Sequence, residues 1–128
     1  MLEIKQMECL IISGSGSILS ALQDLVREDP NIRVDIHDLD ESGYYVPGER
    51  NRYDCVIVDL SALSVRKPAY VSALRKREIS RSLIALDMEI DEIHQQTLRE
   101  AGADACLMMH QIGDWLLPLI IELCDPVG

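Results

Sequence analysis

Two aspartates of the sequence stand directly after apolar runs, where acids serve binding or catalysis in many α/β proteins. Asp59 ends the run formed by residues 53–58, and Asp87 ends the run formed by residues 83–86. Near-continuous apolar runs are typical of strands buried on both faces, as in the centre of a parallel sheet. Open α/β sheets place their sites at the carboxyl ends of the strands, so Asp59 is the predicted centre of any site.

Other residues that could do chemistry follow the first and last apolar runs. Ser13 and Gly14 follow the first run, and Met109 and His110 stand at the end of the last one. Because the carboxyl ends of parallel strands meet at one edge of a sheet, we expect these residues to lie near Asp59.

The histidines raise the question of a metal site. Asp59, Asp87 and His110 combine two carboxylates with an imidazole, a set that could bind a divalent transition metal. Ligands drawn from three separate strands, without a compact spacing, are weak evidence, so we predict no metal. His37 and His94 are predicted to be ordinary surface histidines.

Composition narrows the class of protein. The chain has 128 residues, 48% of them hydrophobic, which fits one domain over residues 1–128 with an aliphatic core. Its formal net charge of -10 is poorly suited to nucleic acid or anionic membranes, and no apolar stretch has spanning length. We expect a cytoplasmic protein whose cysteines are reduced thiols rather than disulfides or metal ligands: Cys9, Cys55, Cys106 and Cys124.

Strand and helix patterns alternate along the chain. Strands are predicted at residues 9–12, 32–36, 53–59, 83–87 and 105–109. Helices are predicted at residues 18–29, 68–78, 90–101 and 114–124. Such βα alternation predicts a parallel sheet covered by helices on both faces.

The second strand and the segment after it are the irregular part of the pattern. Residues 32–36 alternate apolar and charged side chains, which is typical of an edge strand and favours the strand order 2-1-3-4-5. Residues 38–52 contain Gly43, Pro47 and Gly48 among charged residues. We therefore expect a loop or a short helical turn in place of a full second helix.

The pattern resembles the receiver domain of response regulators, a flavodoxin-like signalling module, over residues 9–123. The best local matches are Tyr53-Asp54 leading into the strand that ends at Asp59, and the sequence Ala-Gly-Ala-Asp-Ala at residues 101–105. The resemblance implies a doubly wound α/β fold with a five-stranded parallel sheet. It also implies that Asp59 occupies the position of the aspartate that accepts a phosphoryl group.

The other chemical positions of that family differ in this sequence. Receivers carry a magnesium-binding acid pair after the first strand, a Ser or Thr after the fourth and Lys-Pro after the fifth. This chain has Ser13 and Gly14, Asp87, and Met109 and His110 at those positions. Without the acid pair and the lysine, we expect no cation to neutralise an incoming phosphate, and no magnesium binding. Asp87 would also place a second carboxylate beside Asp59, which disfavours a further anion.

The last predicted helix is apolar on nearly every side, so its outer face must also be covered. Asp114 is predicted to cap it, which would place Pro118 near the first turn. In the family that the sequence resembles, this helix lies on the face used for dimerisation and partner docking. We predict an association surface built on Trp115, Leu116, Leu119, Ile120 and Leu123.

These observations predict a non-enzymatic signalling module, a pseudo-receiver that has lost phosphorylation and uses no cofactor. Its predicted partners are a second copy of the chain through the final helix, another protein or the output domain of a regulator. One alternative is an atypical receiver that is phosphorylated on Asp59. Another is a phosphocysteine-type sugar-transport subunit, but that chemistry needs a cysteine where Ser13 ends the first strand, and Cys9 begins it.

Overall fold

The computed structural model describes residues 6–124, which form a five-stranded parallel sheet with helices on both faces. The strands are β1 (Met7–Ser13), β2 (Ile32–Asp38), β3 (Tyr53–Asp59), β4 (Ser80–Asp87) and β5 (Ala105–Met108). The helices are α1 (Gly16–Val26), α2 (Leu39–Ser42), α3 (Lys67–Arg77), α4 (Glu92–Ala101) and α5 (Ile112–Cys124), with a 3₁₀ turn at Met109–Gln111. The strand order β2-β1-β3-β4-β5 confirms the predicted topology.

The core has two layers because successive side chains of a strand point to opposite faces of the sheet. On one side, called here the α3–α4 face, Val58 shares a buried cluster with Leu74 of α3 and Leu98 of α4. On the other, the α1–α5 face, Ile57 shares a buried cluster with Leu22 of α1. The central strands β1, β3 and β4 are buried on both sides, which explains their unbroken apolar runs.

The second helix is a single turn, as the sequence predicts. Asp38 caps α2 through its carboxylate, which accepts a hydrogen bond from the amide of Asp40 at 2.9 Å. The helix stops at Gly43, whose φ of +76° favours glycine. Residues 43–52 then run without regular structure, although Val46 is buried beside the α3–α4 cluster. This flank of the sheet therefore lacks a full helical cover.

The last helix begins earlier than predicted. α5 starts at Ile112, directly after the 3₁₀ turn, so Asp114 lies in its first turn and is not its cap. Pro118 consequently lies inside the helix, where it cannot donate a backbone hydrogen bond. The prediction that Pro118 falls near the first turn is wrong, because the 3₁₀ turn carries the chain straight from β5 into the helix.

The four cysteines all lie within residues 6–124, and none of them is part of a disulfide. Cys9, Cys55 and Cys124 are buried in the α1–α5 cluster, and Cys106 is half-buried. Burial raises the pKa of the Cys106 thiol, which keeps it protonated and unreactive.

Among residues 6–124, no helix combines the length and the apolar character that crossing a membrane requires.

Candidate functional site

Asp59 lies at the carboxyl end of β3 and is completely buried, at 0% exposure. One carboxylate oxygen accepts a hydrogen bond from the hydroxyl of Ser13 at 2.7 Å. The other accepts from the amide of Ser61 at 2.9 Å and from its hydroxyl at 2.6 Å. Neutral donors thus engage both oxygens, and no side chain among the described residues places a positive charge on this carboxylate.

The local fold explains this arrangement. β1 and β3 are neighbours in register, with Ile12 opposite Val58, so Ser13 and Asp59 end their strands side by side. The chain turns immediately after Asp59, and the bond from the amide two residues later is a common aspartate turn. Ser13 also accepts a hydrogen bond from the amide of Ser15 at 3.0 Å, which connects the buried carboxylate to the cap of α1.

Asp87 ends β4 and is nearly as buried, at 3% exposure, but its partners are different. Its carboxylate accepts from Lys67 Nζ at 2.8 Å, from His94 Nε2 at 3.0 Å and from the amide of Met88 at 2.8 Å. Burial opposes ionisation of Asp87, yet these three hydrogen bonds and the Lys67 charge outweigh it, so its pKa is lowered. Asp87 is therefore an ionised carboxylate in a charge-paired cluster.

The two aspartates end neighbouring strands but have separate sets of partners. Asp59 alternates in phase with Ile57 and so belongs to the α1–α5 side of the sheet, where Ser13 reaches it. Asp87 alternates in phase with Ala85 and belongs to the α3–α4 side, where the side chains of α3 and α4 reach it. The two carboxylates share no hydrogen-bond donor, and the like-charge pair that the sequence predicts stays a prediction.

The sequence predicts that this edge of the sheet has no cation, and that prediction is wrong. Lys67, the first residue of α3, supplies one, but its ammonium is committed to Asp87. Neither Lys67 nor His94 stood out in the sequence, and His94 was predicted to be an ordinary surface histidine. The signal for either residue is weak, because which side chain of α3 or α4 reaches Asp87 depends on where each helix begins.

The remaining predicted residues of this edge are dispersed. Gly14 is half-buried in the turn after β1, and an ideal Cβ there would lie 3.7 Å from a carboxylate oxygen of Asp40. Met109 packs against the α1–α5 cluster, and His110 is exposed in the 3₁₀ turn. Within residues 6–124, no three His, Cys, Asp or Glu side chains are grouped as metal ligands, so the set with His110 is not assembled.

The surface of the final helix is smaller than predicted. Leu116 and Ile120 are both at 0% exposure and pack into the α1–α5 cluster, so assigning them to an association surface is wrong. They recur every four residues, which keeps them on the inner side of the helix. Trp115 is 59% exposed, and Leu119 and Leu123 are half-buried.

Trp115 and Leu119 border a shallow cavity of about 200 Å³ on the outer side of α5. Leu107 of β5 and Pro118 complete its apolar lining. We define the outer α5 surface as Trp115, Pro118, Leu119 and Leu123, with Leu107 at its edge.

Comparison with known proteins identifies the fold. No protein-family model matches the chain, and no curated protein matches it by sequence. The receiver domain of a Francisella response regulator has a TM-score of 0.75 and 16% identity, covering 96% of this chain and 100% of that chain. A CheY-like response regulator from Mesorhizobium loti has a TM-score of 0.72 and 21% identity, covering 92% and 98%. A proposed pilus assembly protein, CpaE, from Burkholderia thailandensis has a TM-score of 0.75 and 16% identity, covering 94% and 99%.

The chain therefore has the flavodoxin-like fold of response-regulator receiver domains along most of its length. At these identities the likeness is one of fold, and the chemistry must be inferred from the residues of this chain.

Proposed function

We propose that this protein is a non-enzymatic signalling module of the cytoplasm, a pseudo-receiver that acts by binding proteins and not by accepting a phosphoryl group. The burial of Asp59 carries the proposal. A phosphoryl acceptor must present an oxygen to its donor, and the reaction needs a cation to neutralise the phosphate oxygens. Asp59 is at 0% exposure, and neutral donors engage both of its oxygens.

The surroundings of Asp59 support the same function. Receivers hold magnesium with an acid pair after the first strand, and here the Ser13 hydroxyl stands at that place and bonds to Asp59. Lys67 is a candidate for a neutralising cation at this edge of the sheet, but it already pairs with Asp87 at 2.8 Å. Recruiting Lys67 to a phosphate would leave the buried Asp87 with His94 as its remaining side-chain partner, which is unfavourable.

Cysteine chemistry finds no support in the geometry. Cys9 is at 0% exposure in the middle of the α1–α5 cluster. A phosphocysteine needs an accessible thiol at a strand end, and burial in apolar surroundings makes a thiol inert.

The outer α5 surface is the proposed interaction surface. It combines a largely exposed tryptophan with half-buried leucines, and aromatic anchors of this kind dominate protein interfaces. We propose a homodimer through this surface, with another protein or an output domain as the other partner class. No nucleic acid, membrane or resident cofactor belongs to the proposed function.

The loss of phosphorylation is tested with acetyl phosphate and Mg²⁺, using intact mass spectrometry of the whole chain. We expect the mass to stay unchanged after prolonged incubation, while a phosphorylatable receiver treated in parallel gains a phosphoryl group. Asp59→Asn is the matched variant. A phosphoryl adduct on the native chain that is absent from Asp59→Asn would overturn the proposal in favour of an atypical receiver.

A further inference from the structure

A second cavity, of about 410 Å³, lies on the α3–α4 face, on the opposite side of the sheet from α5. Its walls are α3 and the irregular residues 44–46, which follow the one-turn helix α2. Its volume is within the range of small-molecule sites, about 300–1,000 Å³. The cavity exists where a longer second helix would otherwise cover the sheet.

The lining is apolar and aromatic. Val46 and Leu74 are buried, at 2% and 4% exposure. Tyr44 and Tyr70 stand edge to face, with their ring centroids 6.1 Å apart and an interplanar angle of 71°. Such a lining suits the apolar body of a ligand, and an aromatic body above all.

The charges that border the cavity are all positive. Arg66 and Arg77 line it, and no aspartate or glutamate does, although the chain has 22 acidic and 12 basic residues. The Arg77 guanidinium lies over the ring of Tyr45, 4.3 Å from its centroid. Within residues 6–124, Arg66 forms no ion pair.

The hydroxyl of Tyr70 is buried, although the residue lines the cavity. Tyr70 is 7% exposed, and its Oη has no hydrogen-bond partner among the described residues, which is unfavourable for a buried group. Burial raises the pKa of Tyr70 to about 12, against the opposing charge of Arg77, so the hydroxyl remains a donor. The cavity therefore meets the ring of Tyr70 and not its hydroxyl.

We propose that this cavity binds a small monocarboxylate with an aromatic body, seated between Tyr44, Tyr70 and Leu74 with its carboxylate toward the two arginines. The apolar lining fits the ring, and the two cations fit the charge. The inference goes beyond the proposed function, because it concerns neither Asp59 nor the outer α5 surface.

The test uses 3-phenylpropionate as the probe and uncharged 3-phenylpropionamide as the control ligand, followed by amide chemical shifts of the ¹⁵N-labelled chain. We expect saturable shifts at residues 44–46 and along α3, with a Kd of about 1 mM or tighter for the acid. The amide should bind at least about tenfold more weakly, because it lacks the charge.

Variants of the two arginines test whether their charge, and not a change in folding, determines how tightly the acid binds. Arg66→Gln leaves Arg77 and its contact with Tyr45 in place, and should weaken the acid severalfold without changing the amide. Arg66→Gln with Arg77→Gln should weaken the acid at least about tenfold. Arg99→Gln on exposed α4 is the control and should change nothing.

Several results would overturn the inference. These are the absence of saturable shifts up to about 10 mM probe, equal binding of acid and amide, or shifts centred away from α3. If the chemical shifts of residues 44–46 change with protein concentration in the absence of any probe, a second copy of the chain occupies this cavity and the inference is wrong.

Discussion

A carboxylate that is fully buried must have its charge compensated, and Asp59 achieves this with neutral donors alone. Three hydrogen bonds from Ser13 and Ser61 replace the water that the charge loses on burial. Asp87 is buried too, but its side-chain partners are the ammonium of Lys67 and a ring nitrogen of His94. The same residue type at two strand ends thus has two environments, and the difference lies in the side chains that each face of the sheet brings to it.

Ser13→Ala tests the first environment. The substitution removes the hydroxyl that bonds Asp59 at 2.7 Å and leaves a buried oxygen with one donor fewer. We expect the free energy of unfolding to fall by about 2 kcal/mol, measured by urea denaturation at neutral pH. Ser17→Ala on the exposed start of α1 is the control and should change stability by no more than about 0.5 kcal/mol. Equal stability of the two variants would contradict the assigned role of Ser13.

Asp87→Asn tests the second environment through pH. The folded-state pKa of Asp87 is lowered, so its ionised form stabilises the fold above the unfolded-state pKa of about 3.9. That stabilisation is lost as pH falls from there through the folded-state pKa. Asp87→Asn should therefore unfold more easily by about 2 kcal/mol at neutral pH, and the difference from the native chain should shrink below about pH 4.

Urea denaturation over this pH series is the measurement for Asp87, with Asp24→Asn on the exposed side of α1 as the control. A deficit that stays constant with pH would show that the carboxylate charge of Asp87 does not stabilise the fold.

The turn that ends α4 lies directly against the side chain of Arg75 in α3. Gly102 has a φ of +130°, and a Cβ added there would lie 2.7 Å from Cγ of Arg75. The helix predicted at residues 90–101 ends directly before this glycine, and the structure adds the reason why no larger residue fits. The turn also leads into β5, so it sets where the last strand begins.

Gly102→Ala should lower the free energy of unfolding by about 2 kcal/mol, because it combines an unfavourable φ with a steric contact. Gly113→Ala is the matched control, since a Cβ at that helical position would meet nothing within 4 Å. It should leave stability unchanged or raise it by up to about 1 kcal/mol. Thermal or urea unfolding distinguishes the two, and equal effects would contradict the assigned strain.

The strand order and the short second helix could be predicted because the patterns that encode them are local. The central strands are marked by unbroken apolar runs, the edge strand by alternation, and the irregular flank by Gly43, Pro47 and Gly48. The start of α5 could not be predicted, because Asp114 is a good cap residue and nothing in the sequence reveals that a 3₁₀ turn precedes it.

Only part of the candidate site could be predicted, because only part of it depends on local sequence patterns. Ser13 and Asp59 end neighbouring strands in register, and strand positions follow from the apolar runs. The partners of Asp87 come from the first turns of α3 and α4, whose exact starts depend on tertiary packing. Leu116 and Ile120 were placed outside because an all-apolar helix does not reveal which side faces the core.

The whole molecule combines a strong negative charge with an apolar outer α5 surface. Trp115 is 59% exposed, while the formal net charge of the chain is -10. Two copies that associate through α5 gain burial of this surface but bring like charges together. Salt screens that repulsion over about 8–10 Å at physiological ionic strength.

The proposed dimer should therefore strengthen as salt rises from low to physiological concentration, as measured by sedimentation velocity over a range of protein concentrations. Trp115→Glu should weaken the association at least about tenfold, because it places a charge where an aromatic anchor lay. Ile93→Glu, on α4 at 78% exposure, is the matched control and should leave it unchanged. A monomer at high concentration, whatever the salt, would remove the homodimer from the proposal.

The central claim is that Asp59 is closed to a phosphoryl group, and beryllofluoride with Mg²⁺ tests it most directly. Beryllofluoride mimics a phosphoryl group on an exposed carboxylate, and amide chemical shifts report where it binds. We predict no saturable shifts at Ser13, Asp59 or Ser61 in the presence of both reagents. Saturable shifts at those residues that disappear in Asp59→Asn would contradict the account and support an atypical receiver that is phosphorylated on Asp59.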